Sequence, residues 1–258
     1  MFLTIDLPQL NDFEPLNLQA LMSRAELMNR SDRKFFFPKE QLGEILAACA
    51  QDYSILEINN QRCFEYETEY YDTPNLFFYH EHHRGKSNRY KVRRRSYGST
   101  GEEFIEVKHK VNKGNTIKLR VVANQIEQAK PLIEQEIGER LTQQLTSQLL
   151  IKYWRITLLH KEKPEKVTLD MQLTCELTQR EDTEASQTQV KDFQGLVIAE
   201  VKATRLQQNT FQSIMKLRKH RETSLSKYCL GCLALYPEIK QNRFKQTYKH
   251  ILSIEHAS

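Results

Sequence analysis

From Arg84 to Arg120 the chain puts a charged residue at every second position of consecutive short segments. Lys91, Arg93 and Arg95 alternate, then Glu106, Lys108 and Lys110, then Lys118 and Arg120. A strand sends successive side chains to opposite faces, so each set shares one face. Val92, Ile105, Val107, Ile117, Leu119 and Val121 take the other. The pattern predicts adjacent strands with one apolar face to bury and one face of ammonium and guanidinium groups. Such a surface repels itself unless a polyanion lies on it.

The stretch holds twelve Lys or Arg against three Glu, a local charge of +9, while the whole chain carries only +5. Charge this concentrated points to a phosphate-rich partner rather than to general stickiness. Hydrophobic residues make up 39%, which is low but enough for a core in 258 residues. Five scattered cysteines, an odd number, fit a reducing compartment better than a disulfide framework. Met1–Asp6 has neither a basic nor a long apolar stretch, so no export signal is expected. No apolar run approaches the roughly 18 residues that span a bilayer. A soluble, cytoplasmic protein is therefore expected.

Along the chain, residues 1–15 read as a loose leader and Leu16–Met28 as an amphipathic helix. The expected division is a helical leader over 1–28 and one domain over 29–258. Arg33–Phe37 reads as a strand, and Pro38 opens a helix to Ala50. Thr68–Asp72 is a Tyr-rich strand, followed by a turn and a short helix toward His82. Strands at about 89–97, 103–110 and 116–122, joined by Gly- and Asn-bearing loops, make an antiparallel meander. Residues 131–150 read as helix, Tyr153–His160 and Lys166–Glu176 as a hairpin, and 180–190 as a polar mobile loop. Leu196–Ala203 is a last strand, with helical pattern from Leu206 onward. The sum is an α+β chain: about eight mostly antiparallel strands that can close into a barrel, flanked by helices. The shared polar faces line the inside.

That polar face collects Asp32, Lys34, Glu67, Glu69, Lys91, Arg93, Arg95, Glu106, Lys108, Lys110, Lys118, Arg120, Tyr153, Arg155, Lys166, Thr168, Asp170, Glu200 and Lys202. The competing reading is an ordinary solvated face, but the cation excess over six strands argues against it. Lys91, Lys110, Arg120, Lys166 and Lys202 are candidate contacts to a bound anion. Glu106 and Glu200 each stand two residues before a lysine. A carboxylate among phosphate-binding cations suits a divalent ion, Mg²⁺ or Mn²⁺, bridging to phosphate oxygens. Alternatively each is a salt-bridge partner of its neighbours. His80, His82 and His83 read as a solvated helix end, and Cys229 and Cys232 as buried thiols. No P-loop, dinucleotide fingerprint or nucleophile elbow occurs.

Tyr71-Asp72-Thr73-Pro74, Lys91 to Gly98, Phe104 to Lys108, Ala199-Glu200-Val201-Lys202 and Leu225-Ser226-Lys227-Tyr228 resemble the VTC domain in order and spacing, over about Arg30 to Tyr236. This domain is the polyphosphate polymerase branch of the triphosphate tunnel metalloenzymes, the CYTH-like group. The resemblance implies an eight-stranded antiparallel tunnel with a cationic lumen and a glutamate-held divalent metal. It implies transfer of the ATP γ-phosphoryl to a growing polyphosphate chain. Matched by motif, Lys34, Arg93, Arg95, Lys108, Lys118, Tyr153 and Arg155 correspond to the phosphate-binding set. Glu200 corresponds to the metal ligand, and Lys227 to a terminal lysine on phosphate. Lys166 replaces an arginine of the polymerases and Ser224 the first of two lysines. By analogy, a separate membrane protein is a candidate partner that accepts the product.

Phosphoryl transfer needs charge neutralisation and in-line positioning more than a protein nucleophile. Three functions stay open on these residues: ATP-dependent polyphosphate synthesis, triphosphate or nucleotide hydrolysis, and non-catalytic polyphosphate sensing. Nucleic acid is not expected, because Tyr90 and Tyr97 are the only aromatic residues interleaved with the basic ones.

Overall fold

The computed structural model describes residues 7–26, 30–111, 116–178, 189–204 and 209–256. Asn112–Asn115 and most of the polar segment 180–190 lie outside the described residues. A short 3-10 turn at Pro8–Asp12 leads into β1 (Glu14–Leu16) and α1 (Leu18–Glu26). Then come β2 (Arg30–Pro38), α2 (Leu42–Cys49), β3 (Tyr53–Leu56), β4 (Cys63–Asp72) and α3 (Phe77–His83). The meander is β5 (Arg89–Tyr97), β6 (Glu103–Lys110) and β7 (Thr116–Val122), with the bounds the alternation predicts. After α4 (Lys130–Ile137) and α5 (Glu139–Thr142) come the two longest strands, β8 (Thr146–His160) and β9 (Glu165–Leu177). The chain finishes with β10 (Val190–Phe193), β11 (Leu196–Thr204), α6 (Thr210–Leu217), β12 (Glu222–Thr223), α7 (Lys227–Leu235) and α8 (Lys245–His256).

The strands form one sheet in the order β12-β2-β11-β9-β8-β4-β5-β6-β7, with antiparallel neighbours throughout that path. Apart from the two-residue β12, the path is the expected set of eight strands. The sheet curls on itself. Lys34 on β2 bears electrostatically on Lys91 of β5, and Lys202 and Glu200 of β11 bear on Lys108 of β6, although these strands are far apart along the path. The fold is α+β, a curled antiparallel sheet with helices on its outside and at one end.

Several strands bury an outward apolar side against a helix. Phe35, Phe37, Val167, Leu169, Val197 and Val201 pack outward on Ile45 and Leu46 of α2 and Phe211 and Met215 of α6. Val92, Ile105 and Val107 pack outward on Ile133 and Ile137 of α4. On the edge strand β7, Ile117 and Val121 stay exposed. At one end the inner face turns apolar: Phe36, Leu149, Ile151, Leu173 and Leu196 meet Leu230 of α7 and Ile251 and Ile254 of α8. A register shift at Lys152/Trp154, with Gln172 at φ 51, lets both Asp170 and Leu173 join the inner side of β9.

Two buried carboxylates tie helices to this frame. Asp72 accepts from the backbone N–H groups of Thr73, Phe78 and Tyr79 at the start of α3 and from the Tyr228 hydroxyl of α7, at 2.6–3.1 Å. Glu165 accepts from Tyr53 and from the N–H groups of Thr210 and Phe211 at the start of α6, at 2.6–2.9 Å. Helix starts favour such acceptors.

Several expectations change. The stretch 131–150 is not one helix: Gly138, at φ 84, ends α4, α5 is one turn, and β8 starts at Thr146. Of the expected loose leader, residues 1–6 lie outside the described residues, and 7–15 are not loose, since Leu10 and Phe13 lie in a core cluster and β1 pairs with β3. Among the described residues no helix is long and apolar enough to cross a membrane.

Candidate phosphate-binding site and its metal ligand

Three carboxylates organise the inner face. Glu106 of β6 is fully buried, and its Oε2 accepts from Nε and Nη2 of Arg93 at 2.8 and 2.6 Å. The register sets Arg93 opposite Glu106 and Glu106 opposite Arg120. Lys118 Nζ lies 2.5 Å from Oε1 as an ion pair, off the line of an aligned hydrogen bond. Burial opposes ionisation of Glu106, but Arg93, Arg95 and Lys118 outweigh it and hold the carboxyl well below its usual range.

Glu200 of β11 is held more loosely. Lys202 Nζ is 3.5 Å from Oε1 and Lys34 Nζ is 3.9 Å from Oε2. Its side chain is 20% exposed, against 0% for Glu106. Burial again opposes ionisation, and the combined field of Lys34, Lys202, Lys227 and Lys108 overcomes it. Asp170 of β9 receives Nε and Nη2 of Arg155 at 2.5 and 2.8 Å and pairs with Lys227 at the start of α7. Tyr153 stacks on Tyr66, and the Arg155 guanidinium lies over both rings. Lys227 Nζ sits 4.7 Å from the Tyr153 ring centre. Burial would raise the Tyr153 phenol, yet Arg155, Arg95 and Lys227 lower it below its usual range.

The other predicted cations line the same face. Burial, reinforced by Lys34, Arg93 and Arg89, lowers Lys91 to about 8, with Cys229 acting in the other direction. Lys108 is pushed well below its usual range, first by Arg93, then by burial and Lys202. Lys110 is lowered by burial and by Arg89 and Lys34. Lys166 sits opposite Lys202 in the β9–β11 register. Arg120 is at the exposed edge, its guanidinium 4.1 Å from the Phe104 ring centre. Like charges so crowded depress one another, and an anion among them relieves all of them.

Among the described residues, the polar atoms of this face without a hydrogen-bond partner are Glu106 Oε1, held by the Lys118 ion pair, and one facing pair. Arg95 Nε and Thr68 Oγ1 are both buried without a hydrogen-bond partner, and the register places their residues opposite each other. Buried donors and hydroxyls are almost always paired.

Two sequence expectations are corrected here. Glu67 and Glu69 do not face inward: Tyr66, Thr68 and Tyr70 take the inner side of β4, and Glu67 and Glu69 pair outside with Arg94 at 3.8 and 2.9 Å. The histidines are not a solvated helix end throughout, for His82 Nδ1 lies 3.0 Å from Cys229 Sγ and its ring packs on Phe244. Sequence reasoning gave no role to Asp170, which positions Arg155 and Lys227. It also passed over Arg89, although Arg89 is in phase with Lys91.

Among the described residues no three His, Cys, Asp or Glu groups converge to hold a metal unaided. Glu200 nevertheless fits a divalent ion. Mg²⁺-type sites commonly use one or two carboxylates and take their remaining ligands from substrate phosphates and water. Its carboxylate is ionised, partly open and unclamped, whereas Glu106 is enclosed by Arg93 and Lys118.

Among solved structures, the fold is similar to a putative adenylyl cyclase from Hippeastrum, described as having a dominant triphosphatase activity. The TM-score is 0.50 at 12% identity, covering 80% of this chain and 96% of that one. It is also similar to a putative adenylate cyclase from Bacillus halodurans, with TM-score 0.49, 13% identity and coverage of 84% and 99%. No curated protein matches the sequence. The model of the VTC domain matches residues 29–236. With the meander, the curled sheet and the carboxylate-punctuated cationic face in place, the chain belongs to the VTC domain family.

Proposed function

We propose that this protein binds a triphosphate or polyphosphate chain along its cationic inner face and transfers a phosphoryl group, with ATP-dependent polyphosphate synthesis as the reaction. The observation that carries this reading is the buried, unsatisfied Arg95 Nε opposite Thr68, inside a ring of mutually repelling cations. A phosphate oxygen accepts from the guanidinium and from the hydroxyl together.

Arg95, Lys108, Lys91 and Lys118 neutralise the charge that spreads over the phosphoryl oxygens in the transition state. Asp170 fixes Arg155 and Lys227 in place, so these two cations need not reorganise as charge moves. Arg93 and Glu106 form the floor that sets the spacing of Lys118 and Arg95. Glu200 would hold a divalent ion, and that ion would supply Lewis-acid stabilisation of the phosphoryl charge. No protein nucleophile is needed. The acceptor decides the outcome: a phosphate chain end gives synthesis and water gives hydrolysis. The triphosphatase description of the Hippeastrum neighbour favours hydrolysis as the second reading.

Incubation with ATP and Mn²⁺ separates them. Long-chain polyphosphate formed with release of ADP supports synthesis. Free phosphate alone makes the protein a hydrolase. Tight tripolyphosphate binding without turnover leaves a sensor, and no binding at all overturns the phosphate-chain reading.

A further inference from the structure

The cation ladder does not stop at Lys91. Arg89 of β5 pairs with Lys110 of β6 one rung beyond Lys91 and Lys108, at the end of the inner face. There a cavity of about 240 Å³ opens, lined by Arg89, Lys110, Ser87, Ser224, His82 and Arg243. Arg243 lies past residue 236, where the family match ends. It is seated by local structure: its backbone N–H donates to His83 Nε2 at 3.3 Å, and a Cβ on Gly85, at φ 78, would fall 1.9 Å from its Nη1. The positive φ at 85 favours glycine, and the guanidinium lies in the space beside it. Arg243 bears on both Arg89 and His82, and Arg89 bears on Lys110. The cavity is thus bounded by three cations from three parts of the chain.

We propose that this cavity is an additional phosphate subsite, built by Arg89, Lys110 and Arg243, that holds the outlying units of a chain longer than a triphosphate. The inference rests on the reading of the inner face as a phosphate-chain site and deepens it. Arg89 is four residues from Arg93, about 13 Å along an extended strand. A triphosphate, with two P–O–P linkages, is too short to occupy both ends. A longer chain lying on the ladder reaches the cavity, where the cations offer charge-assisted hydrogen bonds. The segment after the family-matched region thereby supplies a residue that selects for chain length.

The test is direct binding of tripolyphosphate and of long-chain inorganic polyphosphate to the full chain, wild type and Arg243→Ala, at equal phosphate concentration and low salt. Wild type is expected to bind the long chain more tightly than tripolyphosphate. Arg243→Ala is expected to weaken the long chain about five- to ten-fold and to leave tripolyphosphate within about two-fold. Arg243→Lys, which keeps the charge, restores part of the loss. The inference is overturned if affinity does not rise with chain length, or if the rise survives in Arg243→Ala. It is also overturned if both ligands weaken equally, which makes Arg243 a general contributor to charge or fold. If wild type binds neither ligand, the inner-face reading falls as well.

Discussion

Glu106 and Glu200 are alike in sequence and unlike in place. Each is an inward residue two positions before an inward lysine, and each is ionised against the pull of burial. Glu106 sits in the middle of the meander, clasped by Arg93 and Lys118 with no exposed surface. Glu200 sits on the opposite wall, with lysines no nearer than 3.5 Å and a fifth of its side chain open. Enclosure makes a carboxylate into scaffold. Looseness leaves one able to take a ligand. Removing one partner of a buried pair strands the other, whereas a loosely held charge gives up little stability.

The largest expected effect tests the first half of this contrast. Glu106→Gln leaves Arg93 and Lys118 without their counter-charge and is predicted to cost about 3–5 kcal/mol. Thermal melting should fall by on the order of 10 °C. A melting point within a degree or two of wild type breaks the scaffold assignment. Arg93→Ala strands Glu106 in the same way, so its first symptom is lost stability, with weaker phosphate binding following from it.

Next in size is Glu200→Gln. Turnover should fall at least about 100-fold, since the divalent ion loses its protein anchor. Stability should change little, and tripolyphosphate should bind as well or better, because a negative charge has left a cationic wall. Steady-state rates beside binding and melting curves check all three. Lost stability with near-normal turnover makes Glu200 another salt-bridge partner.

A smaller effect comes from the cations themselves. The Lys91 ammonium is lowered to about 8, chiefly by burial. In the unfolded chain it keeps its ordinary higher value, so between about 8 and 10.5 the unfolded state binds more protons than the folded one. Its contribution to stability therefore rises with pH across that window, as the penalty of a buried charge is relieved. Phosphate binding goes the other way. A bound anion favours charged Lys91, so tripolyphosphate affinity falls as pH climbs past 8, by about ten-fold per unit at most for this group. Isothermal titration between pH 7 and 9 should show a shallower fall in Lys91→Met. Parallel pH profiles would remove Lys91 from the bound chain's surroundings. The smallest effect is expected on the outer face of the sheet. Glu67→Gln breaks only half-exposed pairs with Arg94 and Lys152 at 3.8 and 3.6 Å, and should leave turnover unchanged and stability within about 0.5 kcal/mol.

Much of this contrast is legible in the residues. The period-2 alternation predicts β5, β6 and β7 and the face on which Arg93, Glu106 and Lys118 meet. What alternation cannot supply is which side of a strand is inside when both sides carry charge. Glu67 and Glu69 alternate as cleanly as Arg93 and Arg95, and the aromatic stack of Tyr66 on Tyr153 decides their outward direction. Nor does it show a face change within a strand, as at Gln172. The apolar run Leu149-Leu150-Ile151 suits a helix or a strand equally, and pairing with β4 and β9 settles it as strand. Distances across the curl, which separate Glu106 from Glu200, depend on strands far apart in sequence. The motif match still carries the choice of Glu200 as metal ligand.

The measurement that bears most directly on the central claim is thermal melting in tripolyphosphate, with and without Mn²⁺, for wild type, Glu200→Gln and Glu106→Gln. A ligand that binds only the folded state raises the melting point by mass action. Wild type should gain stability from tripolyphosphate and a further increment from Mn²⁺. Glu200→Gln should keep the first gain and lose the second, while Glu106→Gln, starting lower, should keep the Mn²⁺ increment. An Mn²⁺ increment that persists in Glu200→Gln, or that disappears only in Glu106→Gln, contradicts the account.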